Sequence, residues 1–138
     1  MKEITLEARV ENLDQVLMFL DTQLEEMGCP FKEQTQLDIA LEEMYVNVAH
    51  YAYTPDTGQV NIKLDVLDDP SGVELTLTDS GVPYDPLAKE DPDVTLSAEE
   101  REIGGLGIYM VKKSMDEVAY KHVDGKNIFS MKKFFECE

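Results

Sequence analysis

Two alternating segments separated by a turn make up residues 60–79, VNIKLDVLDDPSGVELTLTD. In both segments an apolar side chain recurs at every second residue, which predicts two strands that each bury one face. The intervening DDPSG is rich in turn-forming residues, so the two strands are expected to pair as an antiparallel hairpin. Residues 60–79 therefore predict a sheet that is covered on one side.

The patterns around this hairpin place helices before it and strands after it. An edge strand is predicted at residues 4–10, a helix after a capping box of Asn12 and Gln15, and a second helix from about Gln34 to Tyr53. A third helix follows residue 104, and two strands flank the turn DGKN. This order predicts an α+β fold, a two-layer α/β sandwich whose mixed, mostly antiparallel sheet carries the helices on one face.

The length and composition bound the class of protein. A chain of 138 residues predicts one domain, residues 1–138. Its 29 acidic against 12 basic residues, a formal charge of -17, argue against direct nucleic-acid binding and against anionic membrane surfaces. No basic segment followed by an apolar one opens the chain, so we expect a cytoplasmic protein, with Cys29 and Cys137 as plain thiols.

Asp79 is the first candidate for a functional side chain. It continues the alternation of the apolar residues in VELTLTD, which predicts a carboxylate on the core-facing side of the strand. A buried carboxylate needs a partner, and a ligand amine would supply one, with Gly81 allowing a close approach to the backbone. Asp-Ser-Gly followed by Val-Pro also suits a turn that Asp79 caps.

Glu43 and Asn47 form the second candidate pair. They are four residues apart, about 40° on the helical wheel, and lie on one shoulder of the apolar stripe. A carboxylate beside an amide can hold a hydrated cation, or a proton acceptor next to one. The same spacing also fits two solvated residues on the flank of a helix.

The third candidate is the glycine loop GGLG before the last helix. Gly104, Gly105 and Gly107 free the backbone to turn its amides toward one point, and the helix adds the positive end of its dipole. That arrangement binds phosphate, although a flexible hinge has the same composition. The acidic, proline-bearing segment before it, residues 85–103, lacks core periodicity and suits a lid.

Taken together, EEMYVN, DSGVPYDP and GGLGIYMVKKSMDEV resemble the three nucleotide-binding boxes of the superfamily that includes gyrase, histidine kinases and MutL. More closely, the chain resembles the bacterial anti-sigma-factor serine/threonine kinases, a single-domain branch of that superfamily. The resemblance runs from about Ile4 to Lys133. It implies a histidine-kinase-like ATPase fold that binds ATP and Mg²⁺, with residues 85–103 as the ATP lid.

The resemblance also implies a role for each candidate. Asn47 corresponds to the asparagine that ligates Mg²⁺, Glu43 to the carboxylate that takes the proton of the attacking hydroxyl, and Asp79 to the acceptor of the adenine amino group. Gly81 belongs to the adenine-facing turn. The phosphates would be cradled by Gly104, Gly105 and Gly107.

Two positions are less defined by the resemblance. Arg101, in the lid, would contact the γ-phosphate, or else pair with Glu99 or Glu100 at the surface. Many relatives carry a histidine four residues after the Mg²⁺ asparagine, where this chain has Tyr51 preceded by His50.

Family members transfer the γ-phosphoryl group of ATP to a serine or threonine of an anti-anti-sigma partner with a STAS fold. Many also bind a sigma factor as homodimers. The resemblance therefore implies a protein kinase that controls transcription by partner switching. The alternative is a catalytically silent nucleotide-binding module that regulates a protein partner by sequestering it.

Overall fold

The computed structural model describes residues 2–52, 58–68, 71–83, 85 and 105–135. Within them the chain forms five strands and three helices, with a 3₁₀ turn at Val10–Asn12 and a π-helical turn at Val48–Ala52. The strands and helices are β1 (Lys2–Glu7), α1 (Leu13–Glu26), α2 (Phe31–Asn47), β2 (Gln59–Asp68), β3 (Ser71–Asp79), α3 (Gly105–Ser114), β4 (Glu117–Val123) and β5 (Lys126–Phe134).

The strands form one sheet in the order β1-β2-β3-β5-β4. Every pairing in this sheet is antiparallel, so the predicted fold class is confirmed, although the sheet is not mixed within the described residues. β2 and β3 pair as the predicted hairpin, with Val60 opposite Asp79 and Asp68 opposite Ser71. The last hairpin turns at Asp124 and Gly125, which have φ angles of 52° and 76°.

The core lies between one face of the sheet and the helices. Alternate residues of β2, β3 and β5 are buried together with the apolar stripes of α1 and α2. Most residues between them in the strands are polar and half-buried, among them Lys63, Thr76 and Ser130. The sheet therefore carries its helices on one face, as the alternation predicted.

The N-terminal boundaries differ from the predicted ones. β1 begins at Lys2 and ends at Glu7 instead of extending to residue 10, and a 3₁₀ turn follows at Val10–Asn12. The capping box is wrong: the Asn12 side chain makes no cap hydrogen bond, and its Nδ2 donates to the Glu7 carbonyl oxygen at 2.9 Å. The preceding turn gives Asn12 a φ of -92° and a ψ of 2°, outside the extended geometry of a capping residue.

One tyrosine joins this N-terminal segment to α2. Tyr45 is completely buried, and its hydroxyl lies 2.6 Å from the Arg9 carbonyl oxygen and accepts a hydrogen bond from the Arg9 amide at 3.1 Å. The hydroxyl also lies 3.2 Å from the Glu7 carbonyl oxygen. The turn between β1 and α1 is therefore held by a side chain from the helix that carries Glu43 and Asn47.

Four carboxyl groups gather where α1 packs against α2. Burial, a hydrogen bond to the Asp21 carboxyl, and the charges of Asp21, Glu25 and Glu42 together raise the pKa of Asp38 to about 7. Asp38 Oδ1 is buried without a hydrogen-bond partner in the described part of the chain. Asp21 Oδ1 accepts a hydrogen bond from Gln34 Nε2 at 3.2 Å. Loss of the Asp38 proton therefore opposes the packing of the two helices.

Cys29, in the connection between α1 and α2, is a free thiol. Burial, followed by the charges of Glu33 and Asp38, raises the pKa of this thiol to about 11. Its Sγ donates a weak hydrogen bond to the Pro30 carbonyl oxygen at 3.4 Å. The group is therefore protonated at neutral pH. Cys137 lies outside the described residues.

Candidate functional site

Asp79 is the last residue of β3 and faces the core. Its side chain is buried, with a relative exposure of 6%, and continues the row of Val73, Leu75 and Leu77. In the sheet it lies between Val60 of β2 and Asn127 of β5. The prediction that this carboxylate shares the core-facing side of the strand is confirmed.

The two oxygens of the Asp79 carboxylate have different surroundings. Oδ1 accepts a hydrogen bond from the Gly81 amide at 2.9 Å and a second from Asn127 Nδ2 at 2.9 Å. The first of these is the turn that the sequence Asp-Ser-Gly allows, so Asp79 does cap a turn. Oδ2 has no hydrogen bond within the described part of the chain. One oxygen therefore holds the backbone, and the other is available to a ligand.

Gly81 is needed for a close approach, and the approaching group is part of the protein. A Cβ atom at this position would lie 2.2 Å from the Ala52 carbonyl oxygen and 2.6 Å from Ala52 Cβ. The adjacent Val82 amide donates to the same carbonyl oxygen at 2.9 Å. The π-helical turn after α2 thus packs directly on the turn after β3, and the space beside Gly81 is filled by Ala52.

Asp79 lies in the wall of a pocket between α2, the π-helical turn and the sheet. The pocket has an empty volume of about 440 Å³, part of it open to solvent. Most lining side chains are apolar, and a few polar groups converge on it, which is the usual composition of a small-molecule site. The described lining residues are Met44, Asn47, Val48, Ala52, Leu77, Asp79, Val82, Tyr120, Asn127 and Phe129.

α2 brings Asn47 to this pocket but leaves Glu43 out of its lining. Asn47 is the last residue of the α-helix, and Glu43 lies one turn earlier; both side chains are half-buried. The predicted helix from Gln34 to Tyr53 instead starts at Phe31 and changes to the π-helical turn at Val48. His50 is exposed in that turn, and the Tyr51 side chain lies outside the described residues.

α3 begins at Gly105, so Gly105 and Gly107 form part of its first turn. The helix is anchored by the buried side chains of Ile108 and Val111. At the carboxyl end of the helix, Lys133 Nζ donates a hydrogen bond to the Ser114 carbonyl oxygen at 2.8 Å. The glycines lie at the opposite, amino-terminal end. Gly104, Arg101 and lid residues 86–103 lie outside the described residues.

Two polar residues of the pocket were not predicted from the sequence. Asn127, at the start of β5, has a relative exposure of 6%, and its Nδ2 donates to Asp79 Oδ1 and to the Val82 carbonyl oxygen at 2.8 Å. Tyr120 of β4 donates its hydroxyl proton to Asn127 Oδ1. Asn127 shares the parity of the buried Phe129 and Met131, the same signal that identified Asp79.

The described residues contain no cluster of three or more His, Cys, Asp or Glu side chains that could hold a metal ion. Among the helices in the described ranges, none has the length and apolar character needed to cross a membrane.

The chain matches a known protein family. The family model for the histidine kinase-like ATPase domain matches residues 6–133, nearly the whole chain. The chain belongs to the histidine kinase-like ATPase family. The match includes the strand that ends at Asp79, the helix that carries Asn47, and the glycine-bearing start of α3. It confirms the superfamily to which the three sequence boxes pointed.

Among curated proteins the chain is similar to enzymes named serine-protein kinase RsbW. It is 25% identical to the one from Bacillus cereus strain Q1 and 24% identical to the one from Bacillus mycoides. Each alignment covers 99% of this chain and 86% of the relative. Serine-protein kinases of this name are therefore among its relatives, in line with the serine/threonine kinases that the sequence resembles.

Two solved structures share the fold. The RsbU and RsbW domains of a Mycobacterium tuberculosis protein match all of this chain with a TM-score of 0.70 at 15% identity, over 34% of that longer chain. The SiaB–SiaC complex from Pseudomonas aeruginosa matches 94% of this chain and 88% of the other with a TM-score of 0.60 at 15% identity. At these identities the likeness concerns the fold alone.

Proposed function

We propose that this protein binds ATP with Mg²⁺ and transfers the γ-phosphoryl group to a serine or threonine of a STAS-type anti-anti-sigma partner. The observation that supports the proposal best is the Asp79 carboxylate, buried in the wall of a largely apolar pocket with Oδ2 left for a ligand. In a chain of the histidine kinase-like ATPase family, a purine base is the ligand that fits this arrangement.

The residues of the pocket suit the adenine end of ATP. The exocyclic amino group of adenine is a hydrogen-bond donor, and Asp79 Oδ2 is an acceptor. The apolar side chains of Met44, Leu77 and Phe129 provide surfaces for the faces of the ring. Gly81 and Ala52 fix the turn that carries Val82 into the same pocket.

Asn47 and the glycine loop would bind the phosphate end of the nucleotide. Asn47 lines the pocket, and an amide oxygen is a ligand that Mg²⁺ accepts, with most of its other ligands coming from phosphate and water. When bound, Mg²⁺ would offset the charge of the triphosphate. The amides of Gly105 and Gly107, in the first turn of α3, are assigned to the phosphates together with Gly104.

The proposed transfer uses Glu43 as the general base. The Glu43 carboxylate takes the proton of the partner's hydroxyl, the hydroxyl oxygen forms a bond to the γ-phosphorus, and the bond to the β-phosphate oxygen breaks to release ADP. Arg101 is assigned to the γ-phosphate from the lid. The phosphate adds nearly two negative charges to the partner, which can break a docking interface and release a sigma factor for transcription.

The same proposal covers the setting in which the protein works. We expect a cytoplasmic homodimer that alternates between the STAS partner and a sigma factor, with no direct contact to nucleic acid or membrane. Mass measurement of the purified protein by light scattering tests the dimer. A mass of one chain across micromolar concentrations would contradict it.

The second candidate function is a nucleotide-dependent binding module without transfer. It is favoured by one observation: Glu43 is half-buried but does not line the pocket that Asn47 and Asp79 share. In this form ATP would control the affinity for a partner, and the partner would be sequestered without being modified.

A phosphorylation assay with matched variants separates the two candidates. The purified chain is incubated with a STAS-domain partner and Mg²⁺-ATP, and the mass of the partner is measured by mass spectrometry to detect the added phosphate. We expect Glu43→Gln to lower the rate of phosphoryl transfer by about 10²- to 10⁴-fold, the usual contribution of a general base. Glu42→Gln is the control, because Glu42 is the exposed neighbour on the other shoulder of α2.

Each outcome decides one point. A phosphorylated partner that depends on Glu43 and not on Glu42 supports the kinase. An unmodified partner that nevertheless binds in an ATP-dependent way overturns the kinase in favour of the binding module. Failure of the wild type to bind ATP in calorimetry overturns both.

A further inference from the structure

Asn127 is placed to control the orientation of Asp79. The two residues are opposite each other on β3 and β5, both face the core, and each is 6% exposed. Asn127 Nδ2 is 2.9 Å from Asp79 Oδ1, 2.8 Å from the Val82 carbonyl oxygen and 3.4 Å from the Gly81 carbonyl oxygen. A single amide group therefore holds the carboxylate and the turn that follows it.

The acceptors beside Asn127 fix which end of its amide points at Asp79, and the Tyr120 hydroxyl donates to the other end, Oδ1. The reverse orientation would set Oδ1 against three acceptors, with no donor among them. The hydrogen bonds thus run in one direction, from Tyr120 through Asn127 to Asp79.

This direction determines what Asp79 can offer to a ligand. Both groups that reach Oδ1 are donors, so the carboxylate is held as an acceptor with Oδ2 available at the pocket. We infer that Asn127 and Tyr120 are positioning residues that set the base specificity of the site. They keep Asp79 as an acceptor, which binds the 6-amino group of adenine and disfavours a base with a 6-oxo group. The inference rests on the proposed function, since it specifies how that site selects its nucleotide.

Asparagine and aspartate have the same shape, which makes Asn127→Asp the decisive variant. At low pH a proton held between the two carboxyl groups would restore a donor to Asp79 Oδ1. At high pH both groups would be charged, and the repulsion would displace Asp79. The titratable side chains among the described lining residues of this pocket are Asp79 and Tyr120.

The measurement is calorimetric titration with Mg²⁺-ATP and with Mg²⁺-ITP, which differs from ATP in carrying a 6-oxo group. Each affinity is expressed relative to the wild type at the same pH, so that the titration of the nucleotide cancels. We expect Asn127→Asp to bind ATP within about twofold of the wild type at pH 5.5 and about tenfold more weakly at pH 8. At pH 8 it should also lose most of its preference for ATP over ITP.

The matched control is Asn61→Asp. Asn61 makes the same kind of side-chain hydrogen bond, with Nδ2 2.9 Å from Thr5 Oγ1, but on the outer face of β2. This variant should leave both affinities at wild-type values at either pH. A pH effect that also appeared in Asn61→Asp would overturn the inference, because it would come from net charge.

A second variant covers the case in which Asn127→Asp does not fold. Tyr120→Phe removes only the hydroxyl that donates to Asn127 Oδ1 and so holds the Asn127 amide in place. We expect the preference for ATP over ITP to fall about threefold, whereas a loss of general stability would weaken both nucleotides equally.

The outcomes separate the inference from the proposed function. Wild-type protein that binds neither nucleotide overturns the proposed function, and the inference falls with it. Wild-type protein that prefers ATP, beside variants with an unchanged, pH-independent preference, overturns the inference alone. A lowered preference in Tyr120→Phe and a pH-dependent loss in Asn127→Asp support it.

Discussion

Replacing Asp79 by asparagine tests the central residue of the pocket with the smallest change of shape. The introduced amide can keep its oxygen at the position of Oδ1, where it would still accept hydrogen bonds from the Gly81 amide and Asn127 Nδ2. Its nitrogen would then occupy the place of Oδ2 and present a donor to the donor of adenine. The fold is therefore retained while the contact to the base is lost.

The size of the effect follows from this geometry. A hydrogen bond to a charged group contributes about 1.5–3 kcal/mol, and each 1.4 kcal/mol is a factor of ten in affinity. We expect the Kd for Mg²⁺-ATP to rise about 10- to 100-fold in Asp79→Asn. The free energy of unfolding should change by no more than about 1 kcal/mol, because both hydrogen bonds at the position of Oδ1 persist as neutral ones.

Calorimetry with Mg²⁺-ATP measures the affinity, and urea denaturation measures the free energy of unfolding. Asp65→Asn is the matched control, because Asp65 lies two positions along β2 from Lys63, on the outer face and away from the pocket. If Asp79→Asn bound ATP within about threefold of the wild type, Asp79 would not contact the base. The unequal surroundings of its two oxygens would then have no role in binding the nucleotide.

Three other substitutions and treatments test the fold. Gly81→Ala should destabilise the protein by about 1–3 kcal/mol in urea denaturation, since its Cβ would lie 2.2 Å from the Ala52 carbonyl oxygen; unchanged stability would contradict this contact. Asp38 has a folded pKa of about 7, above its unfolded value, so the contribution of this carboxyl to the free energy of unfolding should fall as pH rises from about 4 to 7. The free energy of unfolding of Asp38→Asn should therefore exceed that of the wild type by about 1 kcal/mol at pH 8, a value kept small by partial solvent exposure, and equal it at pH 4. In a Cys137→Ser background, Cys29 should react with a thiol reagent at pH 8 much more slowly in folded than in urea-unfolded protein, because the pKa of the folded thiol is about 11.

Much of the sheet could be predicted because its pattern is strictly periodic. The alternation in residues 60–79 fixed both the hairpin and the side on which Asp79 lies. The same alternation in β5 gives Asn127 the parity of the core residues, but the predicted turn DGKN included Asn127, whereas β5 begins at Lys126. Parity along a strand is a local property, so sequence alone can supply it.

The features that could not be predicted depend on contacts between distant parts of the chain. The capping box at Asn12 failed because a 3₁₀ turn precedes α1, and Tyr45 from the next helix holds that turn. The π-helical turn after Asn47 has no periodic signature, and its packing on Gly81 joins residues that are 29 positions apart. For the same reason the link from Tyr120 to Asp79 is visible only in three dimensions.

The hydroxyl of Tyr45 has a practical consequence for anyone who attaches a tag to this protein. It binds the backbone at Glu7 and Arg9, and Tyr45 itself is two residues before Asn47 on the same helix. A bulky fusion that pulls β1 from the sheet edge would therefore be transmitted to the pocket wall through one side chain. The carboxyl end of β5 has no hydrogen bond to α2 among the described contacts, and its Lys133 contacts α3 at Ser114, the end of that helix away from the glycines, so labels and surface anchors belong there.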